Sequence, residues 1–214
     1  LSPSARWRVE AAADQRFESG AVVTVTGFHE WISDVIDRAP VFGGQFDAPA
    51  NIGDGRRYGG RLEASTPLSF LGAPNARIDL TAALEDSKVT DPVTDEIRRL
   101  GDNQRYSISA QYRHSFPDQK LNLNIRLDRA ADVYVYRLNQ IEIEPALTEI
   151  YAFVETTRLK GFVIRVGADY IFDEEDDRRF INFAGDRGTG IIDNIIDRRK
   201  RQGAFLNFQI RTNF

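Results

Sequence analysis

The chain has 214 residues, room for one large domain, with 42% hydrophobic and 28% charged residues and a net charge of −4. No apolar run approaches the ~18 residues of a membrane helix, and the acidic balance argues against nucleic acid, which asks for a basic patch. Cysteine is absent, which excludes a disulfide framework and a thiolate metal site. Methionine is absent too, even at position 1, so the expectation is a mature form or fragment with no signal peptide in view. None of this excludes a membrane β-barrel, whose strands dilute their apolar residues with lumen-facing polar ones.

Side chains on a strand alternate faces, so strict alternation marks a strand with one oily and one wet side. Residues 5–17 alternate: Ala5, Trp7, Val9, Ala11, Ala13 and Phe17 against Arg6, Arg8, Glu10, Asp14 and Arg16. Glu18-Ser19-Gly20 is a tight turn by its residues, and a second strand follows over 21–32. A long irregular stretch, 33–57, is rich in Gly, Asp, Ala and Pro. The third strand, 58–70, contains Pro67, which argues against a central position unless the pairing fades there.

Gly72-Ala73-Pro74-Asn75 turns the chain into a fourth strand, 76–87, and a medium loop covers 88–103. The fifth strand, 104–116, turns at Pro117-Asp118-Gln119 into the sixth. That one alternates most clearly, with Leu121, Leu123, Ile125, Leu127, Val133 and Val135 against Asn122, Asn124, Arg126, Asp128 and Asp132, and is expected to reach about Leu138. The seventh, 146–157, leaves its faces undecided, because Tyr151 and Phe153 share a face with Glu149 and Glu155. After Arg158-Leu159-Lys160 the eighth strand occupies 161–172, and the longest loop, 173–202, leads to the last strand, 203–214. There Ala204, Leu206, Phe208, Ile210, Thr212 and Phe214 oppose Asn207, Gln209, Arg211 and Asn213. Taken alone, that strand suits a tilted membrane span or a soluble sheet equally.

Connections separate the two. Tight turns follow the odd-numbered strands and longer links follow the even ones, the pattern of an outer-membrane barrel with short periplasmic turns and long outer loops. Outward Phe17, Phe70, Phe116, Phe162 and Phe214 lie beside the short turns, and Trp31, Tyr58, Tyr106, Tyr170 and Phe172 near the long loops. Two aromatic girdles are what the two bilayer interfaces favour. The fold class expected is therefore all-β: an antiparallel up-and-down transmembrane barrel. Nine strands are an odd number for a bacterial barrel, and lipid tolerates no open sheet edge, so further strands are expected upstream.

The stretches FHEWISDVIDRAPV (28–41), FDAPANIGDGRR (46–57), LEDSKVTDPVTDEIRR (84–99) and FQIRTNF (208–214) resemble the C-terminal barrel portion of TonB-dependent outer-membrane receptors. The resemblance covers nearly the whole chain and is weakest over 173–200. It implies a 22-stranded barrel closed by an N-terminal plug, with residues 1–214 supplying roughly the last nine strands and neither the plug nor the earlier strands. It further implies import of a scarce ligand of the siderophore, cobalamin or oligosaccharide class in a Gram-negative outer membrane. The implied partners are the TonB complex, reached through the absent N-terminal segment, outer-membrane lipid and lipopolysaccharide, and the barrel-assembly machinery. A terminal strand ending in an aromatic would be the assembly signal, placing Phe208, Ile210 and Phe214 in that role. The competing readings are a smaller or self-associating outer-membrane pore and a soluble periplasmic β-rich binding module.

Inward-pointing Arg61, Arg77, Arg105, Arg113, Arg126, Arg165, Asp169 and Arg211 are the candidate plug- or ligand-facing residues. They form part of a mixed lumen with Arg6, Arg8, Glu10, Arg16, Glu63, Asp79 and Asp128, which could hold a removable plug or be polar merely because it faces water. The acidic run Asp173 to Asp177 reads as a solvated loop face, since it lacks the spacing and central Gly of a calcium loop. Arg178-Arg179 and Arg198 to Arg201 read as flanking charge that ends a strand at the membrane surface, with lipopolysaccharide phosphate the other reading. His29 and His114 sit on outward faces without a ligand partner and are expected to pack at the interface. Gly53-Asp54-Gly55 and Gly185-Asp186-Arg187-Gly188 read as loop turns. No nucleophile elbow, phosphate loop or Ser-His-Asp arrangement is present, and neither enzymatic activity nor a cofactor is expected.

Overall fold

The computed structural model describes residues 1–101, 103–172 and 174–212, and for Glu174 and Glu175 the backbone alone. The chain is all-β and antiparallel. One sheet takes β1 (Ala5–Arg16), β2 (Val22–Ser33), β5 (Gly55–Leu68), β6 (Ala73–Thr90), β8 (Tyr106–Phe116), β9 (Leu121–Ala130), β12 (Thr148–Thr156), β13 (Phe162–Asp169) and β16 (Phe205–Thr212) in that spatial order. These are the nine strands expected from alternation, each paired with its predecessor. Among the described residues β1 and β16 do not pair with each other, so the sheet is an open path.

At one end the strands join through tight turns. Gly20 (φ 81), Gly72 (φ 77), Lys120 (φ 50) and Gly161 (φ 83) each take the left-handed backbone these reversals need, easily for glycine and at a cost for Lys120. Pro67 pairs with Arg77, and the register shifts directly after it, so the ladder is broken where the missing N–H would have been needed.

The other end departs from expectation. The stretch 33–57 is not irregular: it holds the hairpin β3 (Ile36–Val41) and β4 (Phe46–Asn51), paired Ile36 to Asn51 through Val41 to Phe46. The 88–103 connection contributes β7 (Ile97–Arg98), which pairs with the extended end of β6. The sixth expected strand does not run to Leu138. It breaks at Ala131-Asp132, and β10 (Val133–Tyr136) joins a different sheet with β11 (Gln140–Glu144), β14 (Glu174–Phe183) and β15 (Ile192–Gln202). The 173–202 segment is therefore mostly strand. Opposite charges face across part of the hairpin, Asp177 opposite Arg199 and Arg179 opposite Asp197, and apolar pairs continue it, Phe180 opposite Ile196 and Ile181 opposite Ile195, although no apolar alternation marked either strand. β13 also ends at Asp169, short of Phe172.

Register settles the faces. Ile150, Ala152 and Val154 stand opposite Leu127, Ile125 and Leu123, while Tyr151 and Phe153 stand opposite Arg126 and Asn124. The undecided strand thus puts its two aromatics on the polar face. The apolar face of the main sheet is left bare, with Leu206 86% and Trp7 79% exposed beside Phe208, Val166, Val25 and Ile125. The principal buried apolar cluster, Ile32, Val35 and Val89 with Ile52 and Leu100 against it, lies where the wall meets the loops. No second sheet covers the apolar face among the described residues, so there is no sandwich core.

Candidate ligand-facing wall and its loop roof

Alternation sends every second residue of nine adjacent strands to the polar face, and the antiparallel register brings opposite charges within reach. Asp79 on β6 accepts from Ser65 Oγ (2.6 Å) and pairs with Arg77 (2.9 Å) and with Arg113. Glu155 on β12 pairs with Arg165 (2.7 Å) and Arg211 (2.9 Å). Arg61 pairs with Glu63 (2.7 Å), and Arg126 with Asp128 (2.6 Å). Asp169 accepts from Asn207 Nδ2 at 2.9 Å. Arg105, exposed before β8, contributes its carbonyl to Glu85 N (2.8 Å). The candidate residues are thus spread along the wall, Arg77 and Arg113 sharing Asp79 and Arg165 and Arg211 sharing Glu155, and among the described residues these clusters stay separate.

Two features of this wall were not among the candidates. Glu30 on β2, 3% exposed, is a hub for Arg57 (3.2 Å), Arg6 (3.6 Å) and Arg8 (3.6 Å). Aromatics on the polar face are capped by guanidiniums: Arg8 lies 4.2 Å from the Phe28 ring centre and Arg165 4.1 Å from that of Phe153. Cation–π contact of this kind lets an aromatic face water without leaving its ring bare. At Asp79 and at Glu155 two guanidiniums share one carboxylate, so each of these clusters, taken alone, is positive by one charge.

Above the wall the loops are joined through buried charge. Asp91 follows β6, and its Oδ1 accepts from Val93 N (2.8 Å) and Thr94 N (3.1 Å). It also receives Arg98 Nε (2.5 Å) and both oxygens receive Arg187 Nη2 (2.9 and 2.8 Å). Arg98 reaches on to Asp37 (3.0 Å), and Arg187 Nε donates to the Arg137 carbonyl (2.6 Å). The Tyr136 ring lies beneath Arg98, 4.3 Å from its guanidinium. The Asp-Pro-Val-Thr stretch carried a sequence signal for the Asp91 turn, because Asp bonding two residues ahead is a turn former. Nothing local pointed to Arg187: it sits in a turn, as its glycines suggested, yet is buried.

Burial alone would raise the Asp91 carboxyl, but hydrogen bonds from Arg187, the Val93 N–H and Arg98 hold it below its ordinary value of 3.8. A folded value below the unfolded one contributes stability that is complete above the unfolded value and disappears as pH falls through the folded one. The loop assembly should therefore be indifferent to pH between 7 and 5 and loosen below about 3.8. Hydrogen exchange at the Val93 and Thr94 amides against pH measures this. Loosening already at pH 5 would assign the effect to another group.

No protein-family model matches the chain, and no curated protein matches it.

Other candidates resolve locally. His29 packs against Trp31 (4.3 Å) and Tyr58 (5.8 Å), and His114 stacks on Phe116 (3.9 Å) with its Nδ1 2.7 Å from Tyr112 Oη. Of the acidic run, Asp176 pairs with Arg178 (3.4 Å) and Asp177 with Arg199 (3.6 Å) within strands, correcting the solvated-loop expectation; Asp173 lies outside the described residues. Arg178 also ties Glu142 (3.2 Å) and Glu144 (2.8 Å), so it stitches the outer sheet and does not flank it. Arg198 to Arg201 lie inside β15, likewise within a sheet. Among the described residues no three His, Cys, Asp or Glu side chains gather as a metal site. Phe208 and Ile210 are exposed on β16 opposite Val166 and Ile164, and Phe214 lies outside the described residues.

Proposed function

We propose that the chain is the C-terminal sector of the barrel of a TonB-dependent outer-membrane receptor, importing a scarce ligand past a removable plug. The observation that carries this reading is the bare apolar face of a nine-strand antiparallel sheet whose other face is a lattice of ion pairs. Soluble monomers rarely leave a contiguous apolar patch of more than a few hundred Å² uncovered, whereas lipid covers such a face at no cost. Supporting it are the sorting of tight turns to one end and folded connections to the other, and the resemblance of residues 28–41, 46–57, 84–99 and 208–214 to that family. An open path of strands fits a sector of a larger barrel, because an unpaired edge in lipid costs several kcal/mol per backbone group. On this reading the Asp79 and Glu155 clusters meet carboxylates of the plug. The loop roof meets the ligand, of the siderophore, cobalamin or oligosaccharide class, and Phe208, Ile210 and Phe214 belong to the signal read by the assembly machinery.

The test is a spin-label scan of residues 206–211, one cysteine at a time, in the full-length protein in lipid bilayers. Labels at Leu206, Phe208 and Ile210 should be relaxed by oxygen dissolved in lipid, and those at Asn207, Gln209 and Arg211 by a water-soluble nickel complex. Water accessibility on both faces would leave the soluble binding module. Lipid contact together with ligand entry that does not need TonB would leave the simple pore.

A further inference from the structure

The four-stranded outer sheet, β10-β11-β14-β15, is attached to the wall in two ways. Four short covalent links join them: 131–132 to β9, 145–147 to β12, 170–173 to β13 and 203–204 to β16. The second attachment is Arg187, in the turn between β14 and β15, which reaches Asp91 across 96 residues of sequence. Asp91 is in turn held by Arg98 and, through it, by Asp37 of the β3–β4 hairpin. The side chains of Asp91, Arg187 and Arg98 are 1%, 5% and 8% exposed, so in the closed arrangement each charge depends on the others for the partners that water does not supply.

Contacts at the same junction favour a close fit. Arg187 N donates to Leu138 O (2.9 Å), and Leu138 N donates to Asp47 Oδ2 (3.1 Å) on β4. A Cβ on Gly188 would stand 2.9 Å from the Val93 carbonyl, so only glycine lets the 187–189 turn come this near the Asp91 loop. The junction is also incomplete in one respect. Arg98 Nη2 is buried with no hydrogen-bond partner among the described residues, which makes the closed arrangement less than fully satisfied and easier to reverse.

We propose that the Asp91–Arg98–Arg187 cluster is a latch and the four-stranded sheet the flap it holds. Closed, the latch makes four separately encoded connections one rigid roof over the polar wall. Released, it lets the flap turn about its short links while the nine-strand wall keeps its pairing. This goes beyond the transport reading and does not depend on it, since it concerns only how the loops are held.

The experiment is a pair of spin labels in the full-length protein, at Ile97→Cys on the latch side and Ile191→Cys on the flap side, both exposed positions. A reference pair, Val166→Cys and Leu206→Cys, sits on adjacent wall strands. In the otherwise native protein both pairs should give one narrow distance distribution. In Asp91→Asn, and in the milder Arg187→Lys, the first pair should gain a second, longer population while the wall pair stays fixed. A first pair already broad in the native protein, or narrow in both variants, overturns the latch. So does loss of the wall distance in both variants, which would make the cluster a folding element of the whole sheet.

Discussion

Asp91→Ala is expected to lower the stability of the outer-loop assembly by about 3–5 kcal/mol, the range for removing one partner of a buried charge pair. The size follows from what is left behind. Arg98 and Arg187, with side chains 8% and 5% exposed, lose their shared acceptor and cannot turn to water without breaking the contacts of Arg187 to the Arg137 carbonyl and of Arg98 to Asp37. The Val93 and Thr94 amides lose their acceptor as well. Glu63→Ala is the comparison: its pair with Arg61 is about half exposed on both sides (48% and 54%) and should be worth ~0–1 kcal/mol. Denaturant unfolding of the full-length protein, read by hydrogen exchange in residues 88–101 and 133–144 for Asp91→Ala and in residues 55–68 for Glu63→Ala, reports both. Similar costs for the two variants would show that burial at Asp91 confers nothing.

If the bare apolar face meets lipid, as proposed, Ile125→Arg should cost about 2–4 kcal/mol in a bilayer, where a guanidinium near mid-membrane loses its water. Ile125 stands in the middle of β9 between Tyr112 and Ala152, on the face that carries Leu123, Leu127 and Val154. Asn124→Arg, one residue away, should cost little. Its side chain joins the polar face between Arg113 and Phe153, where water screens the added charge and the neighbouring face already stacks arginine on an aromatic. Reversible folding of the full-length protein into lipid vesicles gives both numbers. Equal costs at the two positions would mean that the faces have been assigned the wrong way round, and a small cost at both would remove the membrane from the reading.

The sequence by itself determined the nine wall strands, because a strand writes its two faces into every second residue. Trp7, Val9 and Ala11 against Arg6, Arg8 and Glu10 can be read without knowing any partner. It also determined where the chain reverses tightly, since Gly20, Gly72 and Gly161 are suited to the left-handed backbone those turns adopt. For the same reason it placed Arg77, Arg113, Arg165 and Arg211 on the polar face, though not which carboxylate each would meet.

Only the tertiary structure decided the roof. β14 and β15 are held by a mixture of charged pairs (Asp177 with Arg199, Arg179 with Asp197) and consecutive apolar ones (Phe180 with Ile196, Ile181 with Ile195), and β11 finds β14 across an intervening pair of wall strands, so no local alternation marks either. The faces of β12 became definite only when β9 fixed its register, because Tyr151 and Phe153 suit an oily face until Arg126 and Asn124 stand opposite them. Asp91 and Arg187 lie 96 residues apart in ordinary turn sequences. Their importance comes from burial, and burial is a property of the assembled loops that no single stretch of this chain contains.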